Sequence, residues 1–196
     1  MPQVVVKALK KEYVVNKTVA GVIGVVSFIA LTVAGAYIRV PLPFTPVPLT
    51  LQTFFVLLAG ALLGRRLGLL SQSGYLLVGI FGLPVFTGGL YGFARLMGPT
   101  GGYLIGFMLA AFLIGWLLGN DSEAPYIKIV GAMFIGGAAL LACGAVHLAL
   151  ISGMSLKSAF LLGVLPFIPG DIIKLLAAAA VYQAVQKPAR QVFPNI

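Results

Sequence analysis

Long apolar runs, each ended by a charge or a proline and glycine cluster, set the pattern of this chain. Thr18 to Ile38 carries no charged residue and is long enough to cross a bilayer as one helix. Leu49 to Gly64 forms a second, shorter run with Gln52 as its main polar side chain, and Arg65-Arg66 marks a tight turn after it. Leu67 to Leu83 is a third run, with Ser71, Gln72, Ser73 and Tyr75 inside it. Gly101 to Leu118 and Ile127 to Ser152 are the fourth and fifth. A short apolar piece, Ser158 to Leu165, precedes Pro166-Phe-Ile-Pro-Gly170, and Asp171 to Gln186 is the sixth. The pattern predicts an all-α integral membrane protein. Six transmembrane helices occupy 18–186, as one domain with irregular outer loops over a ligand pocket.

The stretches between the runs are unusual. Pro41, Pro43, Pro46 and Pro48 forbid helix over residues 39–48 and favour extended, polyproline-like backbone. So apolar a loop reads as a lid folded onto the protein. Residues 84–103 are rich in glycine, proline and aromatic side chains. Irregular backbone at membrane depth is tolerated where protein buries it or water lines it, so this segment reads as re-entrant or lid-like too. The breaker at 166–170 predicts a new helix starting at Asp171, a good N-cap, with Lys174 about one turn on along the same face.

Composition removes the soluble alternatives. The chain has 196 residues, 60% of them hydrophobic and 9% charged, with mean hydropathy +1.08. Soluble domains carry about 25% charged residues. Net charge is +9, but the basic residues cluster at run ends, as for orientation and headgroup contact rather than nucleic-acid binding. Residues 1–17 read as a basic, amphipathic cytoplasmic segment without a signal-peptide cleavage pattern, and 187–196 as a cytoplasmic tail. Six spans put both termini on one side. That side carries Lys7, Lys10, Lys11, Lys17, Arg65, Arg66, Lys128, Lys187 and Arg190, against Arg39, Arg95 and Lys157 opposite. The positive-inside rule therefore makes the termini cytoplasmic and brings the three irregular stretches to one outer mouth of a plasma-membrane protein.

Candidate chemistry gathers at that mouth. Asp171 and Lys174 are opposite charges inside an apolar tract, which marks a functional site by default; the alternative is a cap with a structural ion pair. Gln52 and Arg95 add polar contacts, and Phe44, Phe86, Tyr91 and Tyr103 supply candidate aromatic walls. A mostly apolar pocket with a few placed polar groups suits a small molecule that has donors for Asp171 and an anionic or carbonyl group for Lys174 or Arg95. The single cysteine, Cys143, excludes an intramolecular disulfide and multi-cysteine metal sites, and His147 reads as packed or hydrogen-bonded. No paired carboxylates or nucleophile–base arrangement points to catalysis, and no cofactor or metal is expected. In the first run, Ala30 and Ala34 leave a shallow groove on one face, while Gly21 and Gly24 lie nearer the cytoplasmic end.

Four ordered motifs carry a family resemblance. They are Pro43-Phe-Thr-Pro-Val-Pro-Leu-Thr-Leu-Gln-Thr53, Gly82-Leu-Pro-Val-Phe-Thr-Gly-Gly89, Gly98-Pro-Thr-Gly-Gly-Tyr-Leu-Ile-Gly-Phe107 and Pro169-Gly-Asp-Ile-Ile-Lys174. Together they resemble the biotin-transport BioY family, the substrate-binding S components of energy-coupling factor (ECF) transporters. The resemblance implies capture of biotin from outside. It also implies a partner module of a transmembrane coupling subunit and two ATPases. It makes Asp171 and Lys174 the ligand-binding pair and the Ala30–Ala34 face the docking surface for the coupling subunit. Leu90 departs from the pattern, which has a small or polar residue after Gly88-Gly89. A solitary facilitator, an S component for another vitamin and a membrane-embedded enzyme are the competing classes.

Overall fold

A computed structural model describes residues 17–193. The basic segment before Lys17 and the last three residues lie outside the described residues. Helix α1 is Lys17–Tyr37, followed by two short antiparallel strands, β1 Arg39–Val40 and β2 Leu49–Thr50. Helix α2 is Gln52–Ile80, α3 Gly101–Leu118, α4 Tyr126–Ser152 and α5 Leu156–Gly163. A 3-10 turn, Leu165–Phe167, joins α5 to α6, Ile168–Val192. Neighbours pack in the order α1 on α2, α2 on α3 and α3 on α4, and α6 closes the bundle against α2 and α4.

Among the described residues, five helical stretches are long and apolar enough to cross a membrane: Lys17–Tyr37, Gln52–Ile80, Gly101–Leu118, Tyr126–Ser152 and Leu156–Val192. The run pattern predicts six. The difference lies in α2, where the runs 49–64 and 67–83 form one helical stretch broken at Gly64 (φ 80°, ψ −179°). That left-handed φ suits glycine, which has no Cβ to clash. The two halves then meet, for a Cβ on Gly68 would stand 3.1 Å from the Gly60 Cα.

Glycine governs the other close approaches too. A Cβ on Gly60 would stand 2.6 Å from the Ala111 carbonyl oxygen, and one on Gly115 would overlap backbone of Gly64 and Arg65. Helices inside lipid associate by such close packing rather than by hydrophobic burial. The outward surfaces are apolar, with Val22, Ile23, Phe134, Leu150 and Ile173 all exposed. A surface of that kind suits lipid and would associate in water.

Two features of the sixth run differ from expectation. Helix α6 starts at Ile168, not at Asp171, because a proline at the first turn lacks only an N–H that the helix cannot use there. Asp171 therefore lies in the first turn rather than at the cap, where its charge still favours the positive helix end. The helix also runs on past Gln186 to Val192. Arg190, expected as a tail charge, is 7% exposed. Its Nη2 donates to the Ala61 carbonyl at 3.0 Å, and its guanidinium carbon lies 5.7 Å from the Tyr182 ring centre. It thus caps one carbonyl at the end of the first half of α2, while its Nε and Nη1 have no hydrogen-bond partner among the described residues.

Candidate ligand-binding site

The end of the bundle that carries the β ribbon is where the irregular segments converge. Residues 41–48 turn back over the helices rather than extending, with Val47 buried as their anchor. Val47 joins a core cluster of Tyr75, Phe86, Leu96, Tyr103, Phe107, Leu140 and Phe167. The segment 81–100 is held by its own short links. Phe86 N–H donates to the Leu90 carbonyl at 3.0 Å, and the Gly92 N–H donates to the Gly79 carbonyl at 2.8 Å. Phe86 then lies over Gly79, where any Cβ would meet its ring, and stacks edge-on against Tyr75 with centroids 5.7 Å apart. Burial against the helices accounts for Val47, Val85, Phe86 and Leu96, while Phe44, Tyr91, Phe93 and Met97 on the same loops stay exposed.

Between them is a cavity of about 50 Å³. Six of the expected residues line it together: Gln52, Phe86, Arg95, Tyr103, Asp171 and Lys174. Phe44 and Tyr91 do not join it. They lie on the same two loops but are 59% and 62% exposed. Thr50, Thr53 and Thr87 also line the cavity and were not singled out from sequence. Thr87 was the most legible of them, as the one hydroxyl in the Phe86-Thr87-Gly88-Gly89 turn.

The charge pair has a definite geometry. Lys174 Nζ is 2.5 Å from Asp171 Oδ1, with side chains 11% and 22% exposed respectively. Lys174 also donates to the Thr50 carbonyl at 2.9 Å, and the Thr53 hydroxyl donates to Asp171 Oδ1 at 3.2 Å. The ammonium thus ties α6 to strand β2, and the carboxylate ties α6 to α2. One oxygen, Oδ1, takes both of these bonds.

A second polar group lies across the cavity. Gln52 is buried, donates to the Tyr75 hydroxyl at 2.7 Å and accepts from Thr87 at 3.0 Å. Tyr75 in turn donates to the Val85 carbonyl at 3.2 Å. This network fixes the second loop to α2. Tyr103 is anchored elsewhere, by a 2.6 Å bond to the Gly163 carbonyl, with its ring near Phe167. Arg95 sits on a 3-10 turn, Phe93–Arg95, with no carboxylate partner among the described residues. Partial burial, and the neighbouring Arg39 charge besides, hold its pKa below the ordinary arginine value. His147 bonds the Gly98 carbonyl at 3.1 Å, which fixes the start of α3 rather than the cavity.

A larger apolar space, about 480 Å³, flanks the far side of Asp171. Of its lining residues only Thr53 and Asp171 carry polar side chains, and Phe134, Val146, Leu156, Phe160 and Ile172 on its walls are exposed on the bundle surface. It opens onto the apolar outer surface of the bundle and has no set of donors to orient a polar molecule. The smaller cavity has that set: a carboxylate, an ammonium, a guanidinium, an amide and hydroxyls on apolar walls.

Bilayer-length helices closed around such a cavity define a membrane-embedded small-molecule binding protein. The chain belongs to the BioY family, whose model matches residues 8–191. It is 43% identical over 159 residues to the "Probable biotin transporter BioY" of Pyrococcus horikoshii, covering 81% of this chain and 91% of that one. Against the "Biotin transporter BioY" of Thermotoga maritima it is 40% identical over 160 residues, covering 82% and 92%. Its fold matches a crystal structure of the S-component for biotin from an ECF-type ABC transporter. The TM-score is 0.82 at 30% identity, over 88% of this chain and 94% of that one.

Proposed function

We propose that the chain is the biotin-capturing S component of an ECF-type uptake transporter and that the Asp171–Lys174 cavity is its ligand site. The observation that carries the assignment is the partly buried ion pair, at 2.5 Å, on the wall of a cavity that also holds Gln52 and Arg95. Biotin offers a ureido head with two N–H donors and a carbonyl, an apolar bicyclic body and a carboxylate on a chain. Asp171 spends only Oδ1 on internal bonds, so its other oxygen accepts from a ureido N–H, a charge-assisted bond. Lys174 donates to the ureido carbonyl. Arg95, without an internal carboxylate, takes the ligand's acid group. Phe86, Tyr103 and Phe167 wall the rings.

The cavity at about 50 Å³ is well below the roughly 300 Å³ of ordinary ligand clefts. Binding therefore needs a wall to move. Residues 39–48 are that wall, since beyond the β1–β2 pairing at Arg39 and Val40 they carry no helix or strand and rest on Val47, whereas the other walls are mainly helices or the bonded 81–100 segment.

The membrane arrangement follows from the same reading. Each half of α2 on either side of Gly64 acts as a span, which makes six, and residues 18–186 act as one membrane domain. Both termini face the cytoplasm, and the ribbon end faces outward to meet biotin. Energy comes from a transmembrane coupling subunit and two ATPases. Val22, Val26, Ala30 and Ala34 lie four residues apart along one exposed row of α1, whereas Gly21 and Gly24 turn inward onto Leu67, Leu63 and Phe193. The alanine row is thus free to receive a partner helix.

Titration of the purified protein with biotin in detergent, without partners, tests the assignment. Saturable binding without turnover is expected. No binding by folded protein refutes the biotin reading, and chemical change of the ligand refutes the transporter class.

A further inference from the structure

Two arginines stand at the ribbon end, and neither pairs with a carboxylate among the described residues. Arg95 lines the cavity from the 3-10 turn. Arg39 reaches the rim by another route. Strand register sets Arg39 opposite Thr50, a cavity residue whose carbonyl already holds Lys174. From that strand its side chain crosses to the glycine turn of the second loop. Its Nη1 lies 2.6 Å from the place a Cβ on Gly88 would take, so a glycine there leaves room for the guanidinium. The preceding residue, Thr87, lines the cavity. The described carboxylates are committed elsewhere: Asp171 to Lys174, Asp121 to Lys128 and Glu123 to Lys187.

We propose that Arg39 and Arg95 form a two-pronged anion site at the cavity rim, in which Arg39, carried on the lid strand, is a specificity-determining contact for the ligand's carboxylate. The proposal rests on the biotin reading above and goes beyond it by giving the acid group a second partner on the lid segment. Arg39 is near enough to Arg95 to lower its pKa, so the two like charges interact without an anion between them. A carboxylate bound there relieves that repulsion and joins β1 to the second loop. Closure of the lid is thereby tied to the negative charge of the ligand. A neutral analogue of the same shape closes the lid less well.

The test compares biotin with its neutral carboxamide, biotinamide, on the full-length protein in detergent. The parent should prefer biotin, and that preference should shrink at high salt, where exposed charges are screened. Arg39→Gln should weaken biotin about tenfold, the loss of one bond to a charged group at the low end of its range, and leave biotinamide nearly unchanged. Arg39→Lys should keep most of the preference. Equal weakening of both ligands by Arg39→Gln would make the residue a strut of the ribbon and overturn the proposal. No change for either ligand would make it a headgroup contact and overturn the proposal as well. A parent that binds both ligands equally at every salt concentration refutes the anion site without any variant, while leaving the biotin reading intact. A parent that binds neither refutes that reading itself.

Discussion

Replacing Lys174 by methionine keeps the stem of the side chain and removes its charge. The loss can be worked from the contacts. The ammonium makes two bonds, to Asp171 at 2.5 Å and to the Thr50 carbonyl at 2.9 Å. Bonds to charged groups contribute about 1.5–3 kcal/mol each. Asp171 keeps Thr53, and its side chain is 22% exposed, so water offsets part of the loss. Removing one partner of a fully buried pair costs about 3–5 kcal/mol, so a figure of about 2 kcal/mol is expected here for folding stability. For binding, a lost charged donor corresponds to about a 10- to 150-fold weaker Kd. Asp171→Asn keeps shape, removes the acceptor charge and should weaken biotin by a similar factor.

The decisive measurement is the double-mutant cycle, read both by calorimetric titration of biotin and by thermal unfolding in detergent. Groups in direct contact couple by about 0.5–3 kcal/mol, so the double variant should lose less than the sum of the singles. Two single variants that remain folded and bind biotin like the parent would refute the site assignment. Additive losses would show that the pair does not act as a unit.

Three further outcomes are expected. A thiol probe on Thr45→Cys, in a Cys143→Ala background, should react more slowly when biotin is bound, and equal rates would remove the closing lid. Tryptophan at Ala30 or Ala34 should leave biotin binding by the isolated protein intact while abolishing capture of the coupling subunit and ATP-driven uptake; retained uptake would put the docking face elsewhere. Gly115→Ala should lower thermal stability by about 1–3 kcal/mol, because its methyl group meets backbone of Gly64 and Arg65. Gly131→Ala, which meets open space, should match or slightly exceed the parent, and similar losses at both sites would contradict the packing account.

Some parts of this arrangement are readable in the sequence because they rest on local chemistry. Proline fixes backbone within a residue or two, so the helix-free segment is visible from Pro41 to Pro48. Charge in an apolar tract is conspicuous wherever it falls, so Asp171 and Lys174 stand out, and their three-residue spacing gives the contact. Other features depend on what lies across the bundle, which no window of sequence contains. Phe44 and Phe86 have the same side chain on similar apolar loops. Phe86 is buried because Gly79, on the preceding helix, leaves a bed for its ring, whereas Phe44 has no such bed and is exposed. The start of α6 departs from expectation for a local reason: Pro169 reads as a breaker, although a proline in the first turn of a helix is compatible with it.

Arg190 and Arg95 look alike in the sequence, as charges on a tail and on a loop, and the fold gives them opposite fates. Arg190 finds one backbone carbonyl, that of Ala61, and the ring of Tyr182, and so holds α6 to the hairpin at Gly64, although its Nε and Nη1 are buried without a hydrogen-bond partner among the described residues. Arg95 finds no carboxylate among the described residues, although it is partly withdrawn from water. A guanidinium remains charged, and withdrawal from water without a partner is unfavourable. A charge whose bonds are all internal explains a fold. In the proposed site Arg95 is a cavity-wall charge without a carboxylate partner among the described residues, and the ligand's acid group is the counter-ion proposed for it.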